Sequence, residues 1–253
     1  MKRTLINLTF AISLTLFSCL ANIAAGEWTD SLGRKVKVRE NPQRIVALAP
    51  SITEILYDLR AEGRIVGVSQ FSDFPQGANE KERIGSFVRP NIEKIIALNP
   101  DLIIGTADGN PRDSIERLSK LGFSVYMINP RTLDEALESI ERIGELIGSS
   151  DLAKGRVKDL RNRISLVQEA VSSRPTRPKV FFQLSLNPII TCGPGTFQNS
   201  LIHMAGGINL AAKDRLRYPH YSIEEIISKG PEIILITSMR APDLSARDLD
   251  FWR

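Results

Sequence analysis

Residues 44–51, "RIVALAPS", form an unbroken apolar run that ends on proline and serine, which predicts a buried strand entering a helix. The same alternation continues downstream. "TEILYDL" reads as helix, "IVGVS" as strand, and "NIEKIIALN" as a helix stopped by Pro100 before the strand "DLIIG". "RDSIERLSKLG" is a helix ended at Gly122, "FSVYMIN" a strand and "LDEALESIERIGELIG" a further helix. Strand and helix in strict alternation over residues 44–148 call for a mainly parallel sheet covered by helices, a Rossmann-like lobe. The segment "WTDSLGRKVKV" before it predicts an edge hairpin turned at Gly33.

The pattern changes at residue 151. Val157, Leu160, Ile164, Val167 and Val171 recur at spacings of three and four with charges between them, so residues 151–173 predict one long amphipathic helix, stopped before Pro175 and Pro178. The strand–helix alternation then restarts. "KVFFQLS" and "IITCG" are strands, a helix runs from Thr196 through "QNSLIHMAGG", and "RLRYPHY" is a loop. The helix "SIEEIISK" and the strand "PEIILIT" follow. The predicted fold is α/β: two Rossmann-like lobes joined by one long interdomain helix, with a ligand cleft between the lobes. The divisions are a signal peptide at 1–25, an N-terminal lobe at 26–148, the interdomain helix at 149–174 and a C-terminal lobe at 175–253. That second lobe reaches only about 75 residues against about 100 in the first, ends on a helix barely begun in "ARDLDFWR", and is expected to lack a terminal strand and helix.

One block occurs twice. "NIEKIIALNPDLII" at 91–104 and "SIEEIISKGPEIIL" at 222–235 share an Ile-Glu-x-Ile-Ile start and a proline stop before a strand. Asn91 and Ser222 fit as N-caps, and Ser222 with Glu225 fits a capping box. Glu93 and Glu224 then lie in the first helical turn, where a carboxylate is favoured by the helix dipole whatever else it does. Two copies at matching places of two lobes add a second meaning: a matched pair of acidic points for a pseudo-symmetric partner.

Composition narrows the class. With 42% hydrophobic and 25% charged residues the chain has the balance of a globular protein, not of a disordered one. Of the formal net charge of +4, two charges belong to Lys2 and Arg3, and the remainder is too small to indicate nucleic acid as a partner. The first 25 residues give a basic start, an apolar run from Leu5 to Leu20 and small residues from Ala24 to Gly26, which predicts an export signal and a periplasmic protein. "LFSC" also approximates the box at which bacterial lipoproteins are cleaved and acylated, so a lipid-anchored form through Cys19 is an alternative to Cys19 as one more apolar residue of the signal. Cys192 is the other cysteine, and it has no second thiol or nearby histidine for a metal or redox site.

Catalytic signatures are missing. The chain has neither G-x-G-x-x-G nor a P-loop, and "CGPGTFQ" offers glycines without the lysine or the ribose-binding acid. Two histidines, His203 and His220, and no G-x-S-x-G elbow leave no nucleophile set. The expectation is no enzyme, no cofactor and no resident metal; a Rossmann-like envelope enzyme is the alternative of another class. Aromatic residues give more. Phe71, Phe74 and Phe87 lie in loops after strand-like segments, and Tyr218 and Tyr221 flank the second-lobe loop, five of sixteen aromatics at positions that could face a cleft. Anchoring of loops to the core is the competing explanation. Aromatic walls with a few polar groups suit a large, flat, amphipathic ligand.

These residues carry a resemblance. "RIVALAPSITEILYDL", "VGVSQFSDFP", "NIEKIIALNPDLII", "FFQLSLNPIITCGPGTFQNSLIHMAGGINLA" and "YPHYSIEEII" followed by "PEIILIT" resemble the periplasmic substrate-binding proteins of ABC importers for cobalamin and ferric siderophores, with the cobalamin-binding branch most similar. The resemblance implies a small-molecule binder, monomeric, moving little on binding, that delivers a corrinoid to a membrane permease with its ATPase subunits. It places permease docking on Glu93 and Glu224, and the aromatic corrin contacts on Phe71, Phe87 and Tyr218. Loop hydrogen bonds to the ligand are assigned to Asn110, Asn187 and His220. Two further aromatic positions of the cobalamin binders fall on Ala107 and Leu184, and the family's C-terminal acid and arginine have no counterpart, so a ferric-siderophore or haem binder is the alternative ligand class. For that alternative Arg89, Arg112 and Arg217 would supply a basic cleft, with Tyr218 or His220 as iron ligand.

Overall fold

A computed structural model describes residues 25–237 and 249–252; the expected leader with Cys19 lies outside the described residues. The chain opens on the expected hairpin, β1 (Ala25–Thr29) and β2 (Lys35–Arg39), paired antiparallel and turned at Gly33, whose φ of 75° suits a residue without Cβ. Asp30 builds the turn. Its carboxylate accepts from the Leu32 and Arg34 amides and pairs with the Arg34 guanidinium at 2.6 Å.

The N-terminal sheet contains β3 (Ile45–Ala47), β4 (Ile65–Val68), β7 (Leu102–Thr106) and β8 (Val125–Ile128) in the order β4-β3-β7-β8, all parallel. Helices α1 (Pro50–Asp58), α2 (Ile92–Ala97), α3 (Arg112–Lys120) and α4 (Leu133–Leu146) make the crossovers and closing layer, and a short hairpin, β5 (Gly85–Ser86) and β6 (Arg89–Pro90), precedes α2. The apolar runs are continuous because both faces of the sheet are buried. Ile45, Ala47, Leu102, Ile104, Tyr126 and Ile128 point to one core with Ile52 and Leu56 of α1 and Ile143 of α4. Val46, Ile103, Val125 and Met127 point to the other, with Ile92, Ile95, Ile115 and Leu118 of α2 and α3. Each fully buried Ile or Leu contributes about 1.5–3 kcal/mol of transfer free energy.

The long helix α5 (Ser150–Ser172) matches its expected span, and its 23 residues cover about 34 Å. Burial along it is uneven. Ala153 and Val157 are buried, and α4 approaches so closely that a Cβ on Gly144 would lie 2.3 Å from that of Ala153. Further along, Leu160, Ile164 and Val167 line an open apolar groove of about 490 Å³ with Leu137 and Ile140 of α4 and Leu201 and Met204 of the second lobe. The heptad-like stripe therefore runs the full helix, whereas core exists only under its first third.

In the C-terminal lobe β9 (Lys179–Leu186) is the central strand. It pairs antiparallel with β10 (Ile189–Thr191) and parallel with β11 (Ile208–Asn209) and β12 (Ile233–Ile236). The Pro178 and Val180 carbonyls accept from Ile208 and Leu210, while those of Lys179 and Gln183 accept from Glu232 and Thr237, so β11 and β12 take opposite edges. Helices α6 (Phe197–Met204) and α7 (Ile223–Lys229) pack on this sheet, and Phe181, Tyr221, Ile226 and Trp252 form its core. Among the described residues no helix is long and apolar enough to cross a membrane.

Candidate functional site

The duplicated blocks become α2 and α7. Asn91 Oδ1 accepts from the Lys94 amide at 2.9 Å, and Ser222 Oγ accepts from the Glu225 amide at 3.1 Å, so both expected caps form. The Glu225 amide on Ser222 Oγ is the serine half of the expected capping box. The backbone amide of Glu224 and then Ser222 hold the Glu224 carboxyl below the usual carboxylate range. The two copies differ at their first isoleucine, Ile92 being buried and Ile223 exposed, and agree beyond it. Ile92, Ile95 and Ile226 face the cores, while Ile96 and Ile227, three residues after each glutamate, stand exposed beside it. Glu93 is exposed and pairs with Arg117 of α3 at 3.2 Å.

The second candidate region lies between the lobes, where the loop after the carboxyl end of β7 meets the segment before α7. Residues 217–221 do not form the expected free loop. They run as an extended segment antiparallel to β10: the Thr191 amide donates to Pro219, the Tyr221 amide to Ile189 and the Gly193 amide to Arg217, with an isolated bridge between Ile190 and His220. Side chains of an extended segment alternate. Pro219 and Tyr221 therefore turn inward, and Tyr218 and His220 turn outward. Gly193 permits this pairing, since a Cβ there would lie 2.2 Å from the Leu216 carbonyl oxygen.

Tyr218 crosses to the other lobe. Its hydroxyl donates to Asp108 Oδ2 at 2.5 Å, joining the C-terminal lobe to the loop after β7. Burial first, and Asp108 second, push the phenol well above its ordinary pKa, with Arg217 pulling weakly the other way. The hydroxyl stays protonated and Asp108 is the acceptor. The next residue, Gly109, is where the Phe87 ring passes: a Cβ there would lie 1.8 Å from the ring. Asn110 fixes this arrangement, its Oδ1 accepting from the Thr106 amide at 2.8 Å and its Nδ2 donating to the carbonyls of Leu48 at 3.2 Å and Phe87 at 2.8 Å.

Several expected site residues stand elsewhere or do other work. Asn110 is buried with its side chain spent on backbone groups of its own lobe, so it holds Phe87 rather than reaching outward. Tyr221 is a core anchor, stacked on Phe181 at 6.0 Å and donating to Asp214. Phe74 is 67% exposed and lines a hollow with Glu54, Tyr57 and Arg156 on the flank of α1 and α5, away from the Asp108–Tyr218 contact. Phe71 is half-buried in the turn after β4, and Asn187 is exposed in the β9–β10 turn. Arg112 pairs with Glu116 at 2.6 Å, while Arg89 and Arg217 are exposed. Leu184 packs with Val180, Cys192 and Ile202. Asp108 and Gly109 were not anticipated, and their signal was the turn-forming "DGNP" directly after a strand.

Among the described residues no group of three or more His, Cys, Asp or Glu side chains could hold a metal ion. Cys192 is buried, and burial pushes its thiol up to about 11, where it is inert.

Residues 45–251 match the family model for periplasmic binding protein. A vitamin B12-binding protein of Vibrio cholerae serotype O1 is 37% identical over 193 residues, covering 76% of this chain and 69% of the relative. The crystal structure of a periplasmic vitamin B12 binding protein of Vibrio cholerae superposes with a TM-score of 0.74 at 33% identity, covering 84% of this chain and 82% of that one. A periplasmic haem binding protein of Pseudomonas aeruginosa gives 0.72 at 26% identity, covering 83% and 77%. With a family model spanning both lobes and a relative above 30% identity over most of its length, the chain belongs to the periplasmic binding protein family.

Proposed function

We propose that this chain is the substrate-binding component of an ABC importer, which captures a corrinoid between its lobes and delivers it to the membrane permease and its ATPase subunits. It binds and releases without performing chemistry. The observation that carries this reading is the interlobe mouth, where Phe87 and Tyr218 stand on opposite lobes joined through Asp108. Relatives named for vitamin B12 support the ligand class. In this reading residues 1–25 are removed on export, α5 keeps the spacing of the lobes, and the mature protein works as a monomer in the periplasm.

Phe71, Phe87 and Tyr218 supply the aromatic walls, while Asn187 and His220 supply polar contacts. Asn110 acts through Phe87. Large aromatic faces desolvate well at little entropic expense, because their side chains have few rotatable bonds. In the haem alternative Tyr218 or His220 would be the iron ligand, and Tyr218 would first have to leave Asp108.

Glu93 and Glu224 form the docking pair. Each sits in a capped first turn with an exposed isoleucine one helical turn on, a carboxylate beside an apolar knob repeated on both lobes. Such a pair fits a two-fold permease that offers an arginine to each lobe, through charge-assisted contacts that set orientation.

Calorimetric titration of the mature protein with cyanocobalamin, a ferric siderophore and haem tests the ligand class. Cyanocobalamin should bind at one to one and more tightly than the other two, and Phe87→Ala should weaken it about tenfold or more. Haem binding in preference to cyanocobalamin would overturn the corrinoid reading.

A further inference from the structure

The geometry points to Asp108 as a specificity-determining residue of the cleft, one that admits corrinoids with amide side chains and rejects tetrapyrroles whose rim carries carboxylates. This rests on the corrinoid reading above. Asp108 follows the carboxyl end of β7 on a loop with little freedom: the Ala107 amide donates to Ile128 and the Asn110 amide to Thr106, while Asn110 Oδ1 accepts from Thr106. The carboxylate is therefore held at the mouth, one residue from the Gly109–Phe87 contact. Among the described residues the exposed Asp108 accepts from Tyr218 and takes part in no salt bridge. The cation felt at the Tyr218 phenol is Arg217, which is exposed.

A flat ligand entering between Phe87 and Tyr218 has to break the Tyr218–Asp108 bond. Asp108 is then left without its donor at the edge of the ligand, and a carboxylate accepts hydrogen bonds but donates none. The rim of a cobalamin carries carboxamides, whose N–H groups replace the lost tyrosine donor with a charge-assisted bond. A haem propionate, or a corrin rim bearing free carboxylates, brings a second anion to the same place. The lost bond is not replaced, and two like charges a few ångströms apart repel in a partly desolvated cleft. Selectivity arises here from a repulsive element as much as from an attractive one.

The test uses two corrinoids that differ chiefly in that rim: dicyanocobinamide, with side-chain amides, and dicyanocobyrinic acid, with carboxylates. Titrations of the full chain at low ionic strength, where screening is least, compare wild type with Asp108→Asn. The wild type should prefer the amide ligand by at least about tenfold. Asp108→Asn, which can still accept from Tyr218 but loses the charge-assisted bond, should bind the carboxylate ligand about tenfold more tightly and the amide ligand about threefold to tenfold more weakly, so that the preference collapses. Tyr218→Phe keeps the ring and frees Asp108, so the preference should persist. A preference unchanged in Asp108→Asn, with the amide ligand still bound, overturns the assignment while leaving the corrinoid reading intact. A wild type that binds neither dicyanocobinamide nor cyanocobalamin overturns both.

Discussion

Replacing Glu93 and Glu224 together by glutamine is expected to lower ligand uptake at least about 100-fold while leaving ligand affinity within about twofold. The two side chains are exposed, and both lie on short helices whose caps, Asn91 and Ser222, remain in the variant. Glutamine keeps shape and helix propensity, so neither lobe should unfold. What is lost is charge. An arginine that becomes desolvated at an interface loses a charge-assisted partner on each side, and removing one member of such a pair weakens complexes far more than removing an exposed pair does. Each single variant is expected to lower uptake about tenfold, and the double variant to combine them because the helices are on different lobes. Glu93 already has a partner, Arg117 at 3.2 Å, but an exposed pair of this kind is weak and exchanges readily. Uptake into proteoliposomes carrying the permease, together with titration of the free protein, checks both halves. A loss of ligand affinity with normal docking would return both glutamates to a purely helix-stabilising role.

The sheet of the first lobe was legible because burial on both faces writes strands as continuous apolar runs, and "RIVALA", "DLIIG" and "SVYMI" are such runs. Helix ends were legible where capping residues stood beside them, as at Asn91 and Ser222. Strands β5, β6 and β11 escaped, since two-residue pairings carry no period. The site was harder to read. In "RYPHY" the proline suggests a loop, yet the segment is held against β10, and strand alternation sends Tyr218 to the mouth and Tyr221 to the core. The two tyrosines are indistinguishable by type, and only the pairing partner separates them. The turn at Asp108 was legible in "DGNP", but its contact with Tyr218 was hidden for the same reason. Its partner lies 110 residues away, and no local pattern encodes that contact.

Asn110→Ala is expected to lower stability by about 3 kcal/mol and to weaken corrinoid binding at least about tenfold. The side chain satisfies one amide, Thr106, and two carbonyls, Leu48 and Phe87, and alanine leaves all three to find other partners. An abandoned buried polar group costs about 1–3 kcal/mol, with water at the mouth relieving part of the total. For a chain of this size that corresponds to a drop in Tm of about 6–12 °C. Affinity falls because the Asn110–Phe87 bond and the absence of a Cβ at Gly109 together seat the Phe87 ring, so releasing the carbonyl lets an aromatic wall move. Asn110→Asp sharpens the test. It retains an acceptor for the Thr106 amide but faces the two carbonyls with another acceptor, and should destabilise at least as much as alanine. Thermal unfolding and titration of the same samples separate the two roles open to this residue. An unchanged Tm with lost affinity would make Asn110 a direct ligand contact, whereas a fall in both identifies it as the residue that positions Phe87.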